Sequence, residues 1–346
     1  MNDKLTDEAY ARAALTYLSE PADPRLARLL RVHGAAVTLD AIKSGRPLST
    51  PGRAAGPDGQ GPGGPGLLPG QEGQGTRAAM EGWRTRLPGL PSREELLAFH
   101  EAGIRVICPG DPEWPGQLAD LGDTQPYALW LRGKANLRLS CLNSVAVVGT
   151  RAATAYGSYV AAELAASVAA RGWTVVSGAA FGIDSAAHRG ALSAGGATVA
   201  VLACGVDTPY PAAHADLLNA IAVQGVIASE WPPGRHVSRL RLLARNRVVA
   251  ALAAGTVVAE AGRRSGAVST ARHARDLGRR LMAVPGPVTS DSSAGCHQVI
   301  REWNGTLVTS AAEVIEHLAP ARAQSGPYPV AAGQSGGCPD RAGRST

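Results

Sequence analysis

Residues 145–188 decide the fold. They read Val145-Ala-Val-Val-Gly-Thr-Arg151, an Ala-rich helical run over 156–171, Thr174-Val-Val-Ser177, and Gly178-Ala-Ala-Phe-Gly-Ile-Asp-Ser-Ala-Ala-His188. Two short, almost wholly apolar runs rich in β-branched residues flank one helix-length segment, and each run ends in a glycine-containing loop that opens a helix. Strands this apolar must be buried on both faces, as in a parallel sheet with helices above and below. The unit repeats outward. Further strands are predicted at 104–107, 128–131, 198–202, 225–228, 256–259, 281–284 and 306–308, and helices at 183–194, 213–223, 245–254, 266–277 and 295–302. Repeated strand–helix–strand units predict an α/β, extended Rossmann-like domain over 92–318, with a mostly parallel sheet and helices on both faces.

Outside that domain the composition changes. Residues 1–46 carry helical patterning (Ala13-Ala14, Tyr17-Leu18, Leu26, Leu29-Leu30) interrupted by Pro21 and Pro24, which predicts two or three short helices. Residues 47–82 are rich in Gly and Pro, and 320–346 share that character. Neither has enough apolar surface to offset its ordering entropy, so a flexible linker or insert and a disordered tail are expected.

Composition narrows the function classes. The chain of 346 residues has 34 basic and 28 acidic side chains, a net charge of +6. Lysine stands only at 4, 43 and 134, so 31 of the basic residues are arginine, whose planar fork of donors suits phosphate. No apolar run approaches the roughly 18 residues a spanning helix needs, and the acidic start Met1-Asn-Asp-Lys-Leu-Thr-Asp-Glu8 lacks a secretory apolar core. A cytoplasmic protein with no membrane partner is expected. Five cysteines (108, 141, 204, 296, 338) fall at least 33 residues apart with no CxxC, which argues for reduced thiols rather than disulfides or a metal site.

In an open α/β sheet the ligand sits beyond the carboxyl ends of the strands, so the loops there carry the functional reading. Gly149-Thr150-Arg151 follows one strand, and Ser177-Gly178 to Gly182 follows the next. Glycine admits close backbone approach and a helix N-terminus offers unpaired N–H donors. Neither loop is GxGxxG, and no acidic residue stands where an NAD site needs its ribose ligand. Asp184 and His188, four apart, would share a helix face as an acid/base pair, or serve as a cap and a packed histidine. Later loops bring Ser229-Glu230, Arg245-Asn246-Arg247, Glu260 and Ser265-Gly266. Residues 231–259 hold no acid but five arginines (235, 239, 241, 245, 247), and a second basic group (263, 264, 272, 275, 279, 280) contains only Asp276. Such one-signed runs suggest a field aimed at an anion. With no Walker A, metal cluster or nucleophile–base motif, the residues point to a phosphate-rich ligand, either a nucleotide or a nucleic-acid backbone. No cofactor is expected.

Taken in order, Val147-Val-Gly-Thr-Arg151, Ser177-Gly-Ala-Ala-Phe-Gly-Ile-Asp-Ser-Ala-Ala-His188, Ser229-Glu-Trp-Pro-Pro-Gly234, Arg245-Asn-Arg247, Glu260 with Ser265-Gly266 and Thr270-Ala271, and Ala283-Val-Pro-Gly286 resemble the DprA/Smf family of DNA-processing proteins. The lead-in Ile107-Cys-Pro-Gly-Asp-Pro-Glu-Trp-Pro-Gly-Gln-Leu118 is similar as well, so the resemblance spans roughly 100–315. It implies a non-enzymatic single-stranded DNA binder that protects incoming strands in natural transformation, helps load the RecA recombinase and acts as a homodimer. Carried onto this chain, Arg151, Arg245 and Arg247 contact phosphates, while Gly149, Thr150, Ser177, Gly178, Gly182, Asn246, Ser265 and Gly266 line the pocket. Asp184, His188, Glu230 and Glu260 support it. The chain departs from the family at Thr150, where serine is usual, at Leu242-Leu243, where Phe-Pro is usual, and at Ser269. Its Pro/Gly tail stands where many members carry a winged-helix domain, so none is expected here.

Two other readings compete. A nucleotide N-glycosidase on a related scaffold would use Glu260 or the Asp184/His188 pair as acid/base, and a protein-interaction scaffold would need no anion site at all. The DNA-binding reading requires the guanidiniums of 151, 245 and 247 to converge on one open groove, without internal carboxylates engaging them.

Overall fold

The computed structural model describes residues 6–48 and 71–319. Nine strands form one sheet: β1 (Ile104–Ile107), β2 (Leu129–Gly133), β3 (Ser144–Gly149), β4 (Thr174–Ser177), β5 (Thr198–Leu202), β6 (Val226–Ser229), β7 (Gly255–Glu260), β8 (Arg280–Ala283) and β9 (Thr306–Leu307). The thirteen α-helices among the described residues are α1 (Asp7–Leu18), α2 (Pro24–His33), α3 (Ala35–Ser44), α4 (Gln71–Arg84), α5 (Arg93–Glu101), α6 (Leu137–Leu142), α7 (Ala155–Ala169), α8 (Ile183–Ser193), α9 (Ala215–Gln224), α10 (Arg239–Leu252), α11 (Gly266–Asp276), α12 (Ala294–Glu302) and α13 (Ala311–Leu318).

The strand order is β1-β2-β6-β5-β4-β3-β7-β8-β9. β1 and β2 run antiparallel at one edge, and every pairing from β6 to β9 is parallel. Period-two alternation sorts the side chains. Val145 and Val147 of β3 point into a core built with α7, α8 and α13, whereas Ala146 and Val148 point into one built with α10, α11 and α12. Both faces are covered, as the apolar runs require. The chain steps outward from β3 through β4 and β5 to β6, then crosses to β7 on the other side of β3. That reversal opens a crevice at the carboxyl ends of β3 and β7, where open α/β sheets bind ligands.

The predicted strands all form, with ends displaced by a residue or two. Two differences matter more. Residues 71–82, expected to belong to a flexible linker, lie in α4, because Ala79, Met80 and Trp83 recur at helical spacing and pack with Leu15, Leu29 and Ile42. Burial of that face outweighs the poor helix propensity of the Gly/Gln-rich first turn. The linker expectation for 49–70 and the tail expectation for 320–346 lie outside the described residues. The second difference is α10, which begins at Arg239 rather than 245, because the Ser238 side chain accepts from the Arg241 N–H and caps it.

The helices α1–α4 form their own cluster and dock on the antiparallel edge. Trp130 of β2 donates its indole N–H to Thr16 Oγ1 at 3.1 Å, and the Tyr17 and Phe99 rings pack edge-on against it at 6.0 Å. A buried indole needs such a partner. Cys108, Cys141, Cys204 and Cys296 are buried and free.

Candidate functional site

A cavity of about 1020 Å³ occupies the crevice, walled by the loops after β3 and β4, the first three turns of α10 and the N-terminus of α11. The β3 and β4 loops press against each other. Gly182 sits at φ 74°, and a Cβ there would lie 2.3 Å from the Thr150 carbonyl oxygen, so only glycine fits. Gly178 is constrained by a side chain instead: a Cβ there would come within 2.1 Å of Arg245 Nη1.

That contact identifies what Arg245 does. It is 5% exposed and its Nη1 donates to the carbonyls of Gly178, at 2.6 Å, and of Val201, while Nε donates to Asn246 Oδ1 at 3.2 Å. Asp184, also buried, accepts from the N–H groups of Gly178 (3.2 Å) and Ala180 (3.4 Å). Burial pushes the Asp184 carboxyl upward and the nearby Arg245 charge opposes it; burial likewise lowers the Arg245 pKa, and Asp184 offsets that. Arg245 borders the cavity, but its donors hold the loop from behind.

Arg247 departs further from expectation. Its guanidinium makes two 2.6 Å bonds to Glu230, with Nε to the Thr124 carbonyl and Nη1 to that of Ala244. Both side chains are sealed, at 6% and 3% exposure, and Arg247 does not line the cavity. The reason is position: with α10 starting at Arg239, residues 245–247 stand at the junction of its second and third turns, turned inward, and do not offer free helix-start donors. Of the three guanidiniums expected to converge unengaged on the groove, only Arg151 does so; phosphate contact by Arg245 and Arg247 is corrected to internal bonding, and an anion-binding reading has to rest on other cations.

The groove nevertheless has its cations. Arg151, Arg239 and Arg264 line it, are solvent-exposed, and form no hydrogen bond or ion pair with any described residue. Arg239 and Arg264 lie within the two one-signed sequence runs but carry no motif that singles them out. Most other arginines of those runs are engaged: Arg241 with Glu20, Arg263 with Glu302, Arg275 with Asp276, Arg279 with Asp120, and Arg235 with the Tyr17 carbonyl. Beside Arg264, Ser265 caps α11 by accepting from the Ala267 N–H at 3.3 Å, and Gly266 leaves the helix start open to solvent. The helix N-terminal dipole and three unpaired guanidiniums give the crevice a positive rim whose chemistry suits a multiply charged anion.

The remaining candidate residues are structural in their contacts. Ser177 is fully buried and donates to the Val147 carbonyl at 2.7 Å, so its hydroxyl faces the sheet rather than the groove. Gly149 and Thr150 line the cavity, and the Thr150 N–H donates to the Glu260 carbonyl at 2.7 Å. Asn246 Nδ2 donates to the Gly266 carbonyl at 3.2 Å, tying α10 to the start of α11. Glu260 accepts from the Thr154 N–H (2.8 Å) and hydroxyl (2.7 Å) at the start of α7. His188 is fully buried, with Nδ1 2.8 Å from Thr198 Oγ1; that hydroxyl already donates to the Val175 carbonyl, so the imidazole N–H donates to it. Asp184 and His188 thus serve different partners and form no acid/base pair. Among the described residues no group of three or more His, Cys, Asp or Glu is placed to hold a metal, and no helix is long and apolar enough to cross a membrane.

His188 yields a pH prediction. Burial pushes its pKa down to about 3, below the unfolded value near 6.5. The unfolded chain binds this proton first, so the stability is complete above pH 6.5 and lost as pH falls toward 3, by about 2 kcal/mol at pH 5. Asp184, raised by burial, acts in the opposite sense nearer its own titration. Urea unfolding at pH 7 and pH 5 should show a drop that shrinks by about this amount in His188→Asn, which keeps an N–H donor; an unchanged drop would refute the assignment.

Fold and crevice together define an extended Rossmann-like α/β protein with an arginine-rimmed groove at its switch point. The chain belongs to the DNA recombination-mediator protein A family, whose sequence profile matches residues 105–319. It is 51% identical over 235 residues to the putative DNA processing protein DprA of Mycobacterium tuberculosis, covering 65% of this chain and 60% of that one. It is 38% identical over 222 residues to DprA of Streptococcus pneumoniae, covering 64% and 75%. The chain spans about 60% of the length of the mycobacterial relative. Among solved structures, that of Streptococcus pneumoniae DprA superposes with a TM-score of 0.67 at 27% identity, over 90% of this chain and 98% of that one. The Helicobacter pylori protein, whose structure concerns its single-stranded DNA binding mode, gives 0.56 at 28% identity, over 62% and 95%.

Proposed function

We propose that the groove holds the phosphate backbone of single-stranded DNA and that the protein is a non-enzymatic recombination mediator. It shields incoming strands during transformation and helps load RecA, acting as a cytoplasmic homodimer. The observation that carries this reading is the set of three exposed, unpaired guanidiniums, Arg151, Arg239 and Arg264, around one crevice beside the start of α11. Family membership and the single-stranded DNA binding mode of the Helicobacter pylori relative support it. A binding role rather than turnover is favoured by the contacts of Glu260, Asp184 and His188, the residues an acid/base mechanism would need, each of which is engaged within the fold.

Contact with three phosphates predicts a slope of log affinity against log salt near −2 for a single strand, because each contacted phosphate contributes about −0.7. Little sequence preference is expected from backbone contacts. Fluorescence anisotropy with a labelled oligothymidylate and with a duplex of equal length, across a salt series, tests this. A slope near zero, or no binding of the single strand, would overturn the reading.

A further inference from the structure

Phosphate contacts leave one question open, since a duplex carries phosphates as well. The loop at 178–181 supplies an answer. Ala179 sits at φ 55°, a left-handed conformation that costs a non-glycine residue energy and persists only where the surroundings impose it. Here they do. The N–H groups of Gly178 and Ala180 donate to Asp184, the Gly178 carbonyl accepts from Arg245, and the Ala179 carbonyl accepts from His214 Nδ1 at 3.0 Å. Asp184, Arg245 and His214 are 6%, 5% and 4% exposed. Three buried polar side chains therefore fix one short loop.

What that loop presents is Phe181, one of two phenylalanines in the chain. The other, Phe99, packs on Trp130, whereas Phe181 is 48% exposed, its ring inclined at 65° to that of His214 with the centroids 4.7 Å apart. Gly178 and Ala180, just before it, line the groove, and so does Tyr210, 36% exposed and four residues from His214. An isolated exposed aromatic needs no explanation. One held by a strained, fully anchored loop beside an arginine-rimmed groove is pre-ordered for a flat ligand, and little entropy remains to be lost on binding.

We infer that Phe181, with Tyr210, is a stacking platform for unpaired nucleobases, and that Asp184, Arg245 and His214 are positioning residues that hold it. The inference rests on the groove reading above and deepens it. Arg151, Arg239 and Arg264 take the backbone, and the aromatic rim takes bases that a single strand can splay and a duplex keeps stacked on each other. Stacking is tolerant of sequence because every base has a π-face.

The test compares an oligothymidylate with an abasic deoxyribose-phosphate strand of equal length, using the full chain and its Phe181→Leu, Phe181→Tyr and Tyr210→Leu variants. Wild type should bind the oligothymidylate more tightly than the abasic strand. Phe181→Leu should weaken oligothymidylate binding at least about fivefold, Tyr210→Leu should weaken it in the same direction, and Phe181→Tyr should restore it. Abasic binding and the salt slope should be the same in all four proteins. Equal binding of the two strands by wild type, unchanged oligothymidylate binding in Phe181→Leu, or a loss shared by the abasic strand would each overturn the stacking role while leaving the groove reading intact. Binding of neither strand by wild type would remove the groove reading itself.

Discussion

Arg247→Ala is expected to destabilise the protein by about 3–5 kcal/mol, the range for removing one partner of a buried ion pair. Glu230 accepts two 2.6 Å bonds from Arg247, so its carboxylate would be left charged and without its cation at 3% exposure. The guanidinium also serves the carbonyls of Thr124 and Ala244, which would lose their donor. Urea unfolding reads the loss directly. The Arg247→Met/Glu230→Met double variant should recover most of it, because apolar side chains of similar size replace both charges at once. DNA affinity per folded molecule should not change in either variant. A stable Arg247→Ala protein with weakened DNA binding would reverse the assignment and return Arg247 to the strand.

Arg151→Ala/Arg239→Ala/Arg264→Ala should do the opposite. These side chains are exposed and unpaired, so their removal should leave the unfolding midpoint within the small range of ordinary surface changes. A hydrogen bond between charged groups contributes about 1.5–3 kcal/mol, which makes each guanidinium worth about tenfold or more in affinity. Three acting independently give about a thousandfold loss for a single strand, and the salt slope should flatten from near −2 toward zero. Arg245→Ala provides the contrast: it should lower stability and, by releasing the Gly178 carbonyl, loosen the loop beneath Phe181. If the triple variant kept wild-type affinity and slope, the anion site would have to lie elsewhere on the molecule.

The two sets of arginines differ in what folding does to them, and charge read along the chain does not separate them. Residues 231–259 contain five arginines and no acid, and along the chain that looks like a single positive field. In space the carboxylates arrive from other segments. Glu20 reaches Arg241 from α1's far end, Glu230 reaches Arg247 from the end of β6, and Asp120 reaches Arg279 in the second basic group. Arg239, given no role by its motif context, is left over in the first group, as Arg264 is in the second. The same long-range effect reassigned 71–82, where a composition average concealed Ala79, Met80 and Trp83, and the Ser238 cap moved the start of α10 six residues upstream.

By itself the sequence determined what depends on near neighbours along the chain. Fully apolar runs such as Val145-Ala-Val-Val148 had to become strands buried on both faces, and the glycines at 149, 178 and 182 had to mark the loops beyond them, because backbone conformation and side-chain alternation repeat over a few residues. Only the tertiary structure decided which cations remain free. Whether a guanidinium faces the groove or an internal carboxylate depends on partners brought together by folding, in the case of Arg241 from 221 positions away, and an ion pair between such residues has no period along the sequence to announce it.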